Sequence, residues 1–283
     1  MPAETENKWQ KIYKFRGMDC HIHPDFSIDA RGSVEAFVRR AIELGLSRIC
    51  FTTHIDLDPN RLSADTYIRV GGKLRVASLE FAQIYRETVY EARRKFDDRI
   101  EIVYGFEFSY EPHFEDRVRE FIRGAKPEFA IGSVHSVDGF EITSRRSVPA
   151  AARVFELRSF LRRYYEKILS LARSGLFDVI GHIDGYKKYL SRWWGLYAME
   201  RAEIEILEEI APRLADAGAK FEINSSAYKK GLCAPYPSAA VSRILVSRGV
   251  EIGSVGSDAH SPAALAKNVE SAINYTAWAL KGI

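Results

Sequence analysis

The sequence predicts an α/β fold, a distorted TIM-like (β/α)7 barrel with a metal site at the C-terminal ends of its strands. Three observations carry that expectation. Short apolar, β-rich runs alternate with long helical patterns along the 283 residues. Several of the runs are almost continuously apolar, as strands covered on both faces are. Histidines and carboxylates recur at the same end of successive runs, where the βα loops of a parallel barrel build active sites.

In chain order the strand candidates are "FRGMDCHIH", "SRICFTTH", "RIEIVYGFEFSY", "FAIGSVHSV", "FDVIGHID", "KFEINSSA" and "EIGSVGSDAH". The helices between them have readable ends. In "GSVEAFVRRAIELGL", Ser33 caps the start, Val34, Phe37, Val38 and Ala41 share one face, and Gly45 suits the stop. "AMERAEIEILEEIAPRLADAGAK" ends at Gly218, and "PSAAVSRILVSRG" opens with proline and closes at Gly249. Alternating strands and helices imply βα units and a parallel sheet, and seven units instead of eight make such a barrel irregular. An open doubly wound sheet is the alternative arrangement.

Composition narrows the function. With 46% hydrophobic and 28% charged residues the chain can bury a large core, and residues 1–283 are expected to form a single barrel domain behind a polar N-terminal extension at 1–14. A formal charge of +3 implies no broad nucleic-acid or membrane surface. Cys20, Cys50 and Cys233 are far apart and form no CxxC pair, which suits a reducing compartment. "MPAETENKWQ" lacks the apolar core of a secretory signal, and no uncharged apolar run approaches the roughly 18 residues that span a bilayer. The expectation is a cytoplasmic enzyme. Nothing in the sequence specifies its oligomeric state.

His21 and His23 end the first strand, His54 the second, Glu107 the third, His135 the fourth, His182 the fifth, and Asp258 with His260 the seventh. A single histidine at a strand end is ordinarily a satisfied core or loop residue. Six of the seven histidines at the same end of successive strands is not what packing produces. The remaining one, His113 in "EPHFED", reads as surface or helix start, and Cys20 alternates away from His21 into the barrel wall. Imidazole and carboxylate without a thiolate grouping suit Zn, Mn or Fe at an open catalytic site. Eight such ligands exceed the needs of one ion, and a carboxylate such as Glu107 can bridge two ions roughly 3.5–4 Å apart.

"HIHPDFSID", "FTTH", "GFEFSY", "IGSVH", "GHID", "EINSSAYKKG…YPS" and "GSDAH" together resemble the motifs of the polymerase and histidinol phosphatase (PHP) superfamily, and within it most closely the histidinol-phosphate phosphatases. The resemblance runs from about Gly17 to the last helix. It implies a distorted (β/α)7 barrel with a trinuclear metal site. His21, His23, Glu107 and Asp258 would hold one ion, with Glu107 bridging to a second held by His135 and His182, and Asp29, His54 and His260 would hold a third. Two positions depart from the family pattern. Asp29 stands where some members carry histidine, and Tyr228-Lys229-Lys230 replaces the common Leu-Arg-Lys.

The activity so implied is hydrolysis of L-histidinol phosphate, a small phosphomonoester, through a metal-bridging hydroxide at a site of two or three divalent transition-metal ions. Glu107, Asp258 and His260 are the catalytic candidates. Arg145 and Arg146 after the fourth strand, Lys187 and Lys188 after the fifth, and Lys229 and Lys230 after the sixth are placed to hold phosphate. Asn224 and Ser225 can hydrogen-bond substrate, and Trp193 and Trp194 can wall the pocket. A nucleotide or oligonucleotide phosphoesterase is the alternative enzyme; it would need a basic, aromatic-lined strand groove, and the near-neutral charge and absence of an added basic domain disfavour it. A non-catalytic binding module is the alternative class, disfavoured because every ligand position is filled.

Overall fold

The computed structural model describes residue 7, residues 9–60 and residues 64–283. Seven strands form one parallel sheet: β1 Met18–Ile22, β2 Arg48–Ile55, β3 Glu101–Ser109, β4 Phe129–Ser133, β5 Val179–Ile180, β6 Lys220–Asn224 and β7 Glu251–Gly256, each paired with its neighbours in that order. A parallel bridge between Ile22 and Ala259 brings the ends of the sheet together, with the His23 N–H donating to Ala259 O at 2.8 Å. The result is a nearly closed seven-stranded barrel, as the alternation of elements predicts.

Residue alternation explains both faces of the wall. β2 and β3 run in unbroken register from Arg48↔Glu101 to Ile55↔Phe108. Ile49, Phe51, Tyr104, Phe106 and Phe108 pack outward, in one cluster with Phe37, Val38, Phe81, Tyr85, Val118 and Phe121 of the surrounding helices. Each such side chain stabilises the fold by about 1.5–3 kcal/mol relative to exposure. The intervening Cys50, Thr52, His54, Val103, Gly105 and Glu107 face the barrel axis.

The predicted helix signals hold. Ser33 Oγ accepts the Ala36 N–H at 3.2 Å and opens Val34–Glu43, and Gly45 follows with φ +70°. Leu196–Asp216 stops before Gly218 (φ +68°), and Ala239–Ser247 before Gly249 (φ +95°).

Four details differ from expectation. The strands are shorter than the apolar runs, and β5 keeps only two residues because the chain leaves the sheet at Gly181 to place His182. In β1 the register steps from Asp19↔Ile49 to Ile22↔Phe51, so Cys20 and His21 together oppose Cys50. This bulge turns Cys20 inward, against Cys50 and Val103, instead of alternating away from His21. Two hairpins, Tyr67–Val70 with Lys73–Val76 and Ser136–Val137 with Phe140–Glu141, decorate the loops after β2 and β4. The expected polar extension at 1–14 lies partly outside the described residues, and its later part packs: Lys11–Phe15 is a 3-10 turn that buries Ile12 and Phe15. Among the described residues no helix is long and apolar enough to cross a membrane.

Candidate metal centre

At the C-terminal mouth the register sets His54 beside Glu107, and β1 brings in His21 and His23 from the other side. Barrel closure requires a glycine at 256, where a Cβ would lie 2.3 Å from that of His21. His135 and His182 lie just past β4 and β5, and Asp258 and His260 just past β7. Two of these ligand-type residues adopt left-handed backbone, His182 with φ +22° and Asp258 with φ +53°. Such conformations are costly for residues other than glycine and concentrate where function holds them in place.

The side chains form three groups whose ligand atoms lie within 4.8 Å of one another: His21, His23 and Asp258; Glu107, His135 and His182; and His23, His54 and His260. Glu107 sits between them. Its Oε1 lies 2.9 Å from His182 Nε2 and 3.4 Å from His135 Nε2, and its Oε2 lies 3.3 Å from His21 Nε2, 3.7 Å from His23 Nε2 and 2.8 Å from His54 Nδ1. His23 Nε2 is 3.3 Å from Asp258 Oδ1, and His54 Nε2 is 3.3 Å from His260 Nε2. Asp29 joins from the rim, 3.1 Å from His260 Nε2 and 3.9 Å from His54 Nε2. The nine residues expected as ligands thus lie around one mouth, but the grouping differs from the expected one: His23, not Asp29, stands with His54 and His260, and His54 also faces Glu107.

These spacings fit cations. Ligands bound at about 2.1 Å sit roughly 3.0–3.4 Å from one another around an ion. His21 Nε2, His23 Nε2, His54 Nδ1 and Glu107 Oε2 are buried without a hydrogen-bond partner among the described residues, although they crowd together. Donor atoms left unpaired and aimed at a common point are what a metal site needs and what a packed core avoids. The outer nitrogens are anchored: His21 Nδ1 to Glu222 at 2.9 Å, His135 Nδ1 to Ser109 Oγ at 2.9 Å, and His260 Nδ1 to the Asp258 carbonyl at 2.9 Å. That anchoring presents Nε2 of each to the centre. Ser133 Oγ donates to Glu107 Oε1 at 2.7 Å.

The charge states agree. Burial would raise the Glu107 carboxyl, but His21 and His54, with hydrogen bonds from His135 and His182, hold it well below the usual range. Burial, then the neighbouring His54 and His260, push the His23 imidazole down, so it stays neutral and ready to ligate.

A cavity of about 270 Å³ opens over the ring, lined by the ligands other than His21 and His23 together with Asp65, Glu141, Thr143, Ser144, Gly185, Lys188, Ser226 and Tyr236. The predicted substrate-binding residues are mostly placed elsewhere. Lys187 is buried in the core, its Nζ 2.7 Å from Asp184 Oδ2 and 2.6 Å from Glu203 Oε2, because the turn after β5 rotates it inward and leaves Lys188 at the cavity. Asn224 is committed below the ring, donating to Glu222 Oε1 at 2.9 Å, and Ser225 Oγ donates to Lys267 O at 2.8 Å. Lys229 is exposed, whereas Lys230 is half-buried, and burial followed by Lys188 and Lys229 lowers its pKa. Arg145 and Arg146 are exposed and their loop offers Thr143 and Ser144 instead. Trp194 packs on Phe160 with ring centres 5.2 Å apart, and Trp193 is exposed. His113 is a surface residue paired with Asp58 at 3.0 Å, as predicted.

Two residues that strand-end counting misses support the ring. Glu222 takes His21 Nδ1, the His182 N–H at 2.7 Å and the Asn224 amide. Asp19 accepts the Ser257 N–H at 2.9 Å, the Ser257 hydroxyl, and the Ala266 N–H at 2.8 Å, fixing the segment that carries Asp258 and His260. Burial raises its pKa to about 6 against those hydrogen bonds. Neither stands at a strand end, Asp19 lying near the start of β1 and Glu222 in the middle of β6, and no spacing in the sequence marks them.

Known proteins agree with this picture. A Deinococcus radiodurans protein named "Probable histidinol-phosphatase" is 27% identical over 250 residues, covering 86% of each chain. A Listeria monocytogenes crystal structure superposes with TM-score 0.77 at 18% identity, covering 90% of this chain and 99% of that one. The histidinol phosphate phosphatase from Lactococcus lactis, solved with zinc, L-histidinol and phosphate, superposes with TM-score 0.71 at 23% identity, covering 93% and 92%. Both structures show the same fold. The PHP domain model matches residues 19–226, most of the chain, and the protein therefore belongs to the PHP domain family.

Proposed function

We propose that this protein is a metal-dependent phosphomonoesterase that hydrolyses L-histidinol phosphate to L-histidinol and phosphate, using two or three divalent ions (Zn, Mn or Fe). The observation that carries the reading is Glu107, whose two oxygens face separate histidine groups, Oε1 toward His135 and His182 and Oε2 toward His21, His23 and His54. The name of the Deinococcus relative and the ligands of the Lactococcus structure support the choice of substrate.

When bound, the ions would neutralise phosphate charge and make a water acidic enough to be a nucleophile near pH 7. The chain supplies the rest. Nε2 of His21, His23, His135, His182 and His260 converge because Glu222, Ser109 and the Asp258 carbonyl hold the outer nitrogens of three of these rings. Asp258 stands on the open side of the ring, 18% exposed, where a carboxylate can relay a proton to the leaving alkoxide. Lys188 at the cavity and Lys230 beside it offer point charges to phosphate oxygens, in place of an arginine fork. The three free cysteines suit the reducing cytoplasm proposed for the protein.

The test is phosphate release from L-histidinol phosphate, a panel of other monoesters and a short single-stranded DNA, with Mn, Zn or Fe added. Release from L-histidinol phosphate that is lost on chelation is expected. No release from any monoester would overturn the reading, and preference for the DNA would replace it with a phosphodiesterase.

A further inference from the structure

One polar group at the cavity is not used by the metal ring. Tyr236 lines the cavity and is 3% exposed, yet its hydroxyl makes no hydrogen bond to any described residue. Buried phenols ordinarily find a partner, because a desolvated O–H without one is costly. The residue is not loosely placed. Its carbonyl accepts the Asn224 N–H at 2.6 Å, its N–H donates to Asn224 O at 2.9 Å, and two residues on the Ser238 N–H donates to Asp184 Oδ2 at 3.0 Å. The backbone that carries the ring is thus clamped between the end of β6 and the loop that carries His182. Burial first, then Asp184 and Asp258, push its pKa up, so the group is present as O–H and acts as a donor.

We propose that the Tyr236 hydroxyl is a substrate-binding donor whose partner is a phosphoryl oxygen of the ester, an inference that rests on the phosphatase reading above. The hydroxyl is held unpaired in the free protein and is satisfied when the anion enters. Substrate binding therefore gains a charge-assisted hydrogen bond without breaking one inside the protein.

The experiment compares full-length, metal-loaded wild type with Tyr236→Phe, using inorganic phosphate as a binding probe, L-histidinol phosphate as substrate, and thermal unfolding without phosphate. The variant is expected to bind phosphate, and to turn over substrate by kcat/KM, about ten- to a hundredfold more weakly. Its Tm in the absence of phosphate should be equal or higher, since an unpaired buried hydroxyl has been removed. Unchanged phosphate binding in an active protein overturns the inference alone. So does weaker binding accompanied by a lower Tm, which would assign the phenol to the fold through Asp184, whose Oδ1 also lacks a hydrogen-bond partner among the described residues. A wild type that neither binds phosphate nor releases it from any monoester overturns the phosphatase reading, and this inference with it.

Discussion

Glu222 on β6 meets His21 Nδ1 at 2.9 Å, reaching past β7 to a histidine on β1. The same carboxylate accepts the His182 N–H at 2.7 Å, so one buried anion orients ligands of two different groups. A carboxylate behind a ligating histidine fixes its tautomer and raises its basicity, and losing such a partner typically costs 10–100-fold in metal affinity.

Glu222→Gln should therefore bind metal about 10–100-fold more weakly while remaining folded, because the amide keeps the shape and loses the charge. Calorimetric titration of the metal-free protein with Zn or Mn measures this. Wild-type affinity in the variant would mean that Glu222 serves packing alone.

Lys187 separates two accounts of the basic residues. Buried between Asp184 and Glu203, it is a core cation, and Lys187→Met leaves two carboxylates uncompensated, at a cost of about 3–5 kcal/mol. Urea unfolding should show that loss. A variant of native stability whose KM alone rises would return Lys187 to the phosphate site.

Metal uptake should release protons. In the metal-free protein, burial would push the His54 imidazole down, but Asp65, Glu107 and Asp29 raise it to about 10. His21, His182 and His260 are raised in the same direction by the carboxylates around them, against burial. The stability that a raised histidine contributes is fully present below its ordinary value, near 6.5, and is lost as pH rises through the folded value. Metal competes for the same lone pairs and gains as those protons leave. The Tm difference between metal-loaded and metal-free protein should accordingly widen from pH 6 to pH 9, and a difference that narrows would contradict the assignment of these histidines as ligands.

Glu107→Gln should lower phosphate release by roughly a thousandfold or more with the circular dichroism spectrum unchanged, because an amide cannot give negative charge to two cations. Appreciable turnover in that variant would remove Glu107 from the centre.

The barrel and the ligand ring were legible because both follow from strand alternation. His54 and Glu107 lie on inward positions of strands in register, so strand-end counting finds them. Features set by irregular backbone were not legible. The bulge that turns Cys20 inward beside His21 breaks the alternation on which the reading depended. After β5 the turn from His182 to Lys188 decides which lysine faces the cavity, and a rotation of one residue exchanges Lys187 for Lys188. Glu222 reads in "KFEIN" as an ordinary polar position; only its distance to His21 reveals its role.

The central claim is that side chains scattered over six strands make one multinuclear metal centre around Glu107. Anomalous diffraction from crystals grown without chelator, with Mn or Zn supplied, addresses it most directly. The account predicts at least two peaks flanking the Glu107 carboxylate, one on the His21–His23–Asp258 side and one on the His135–His182 side. A mouth with no peak, or with metal bound only away from Glu107, would contradict it.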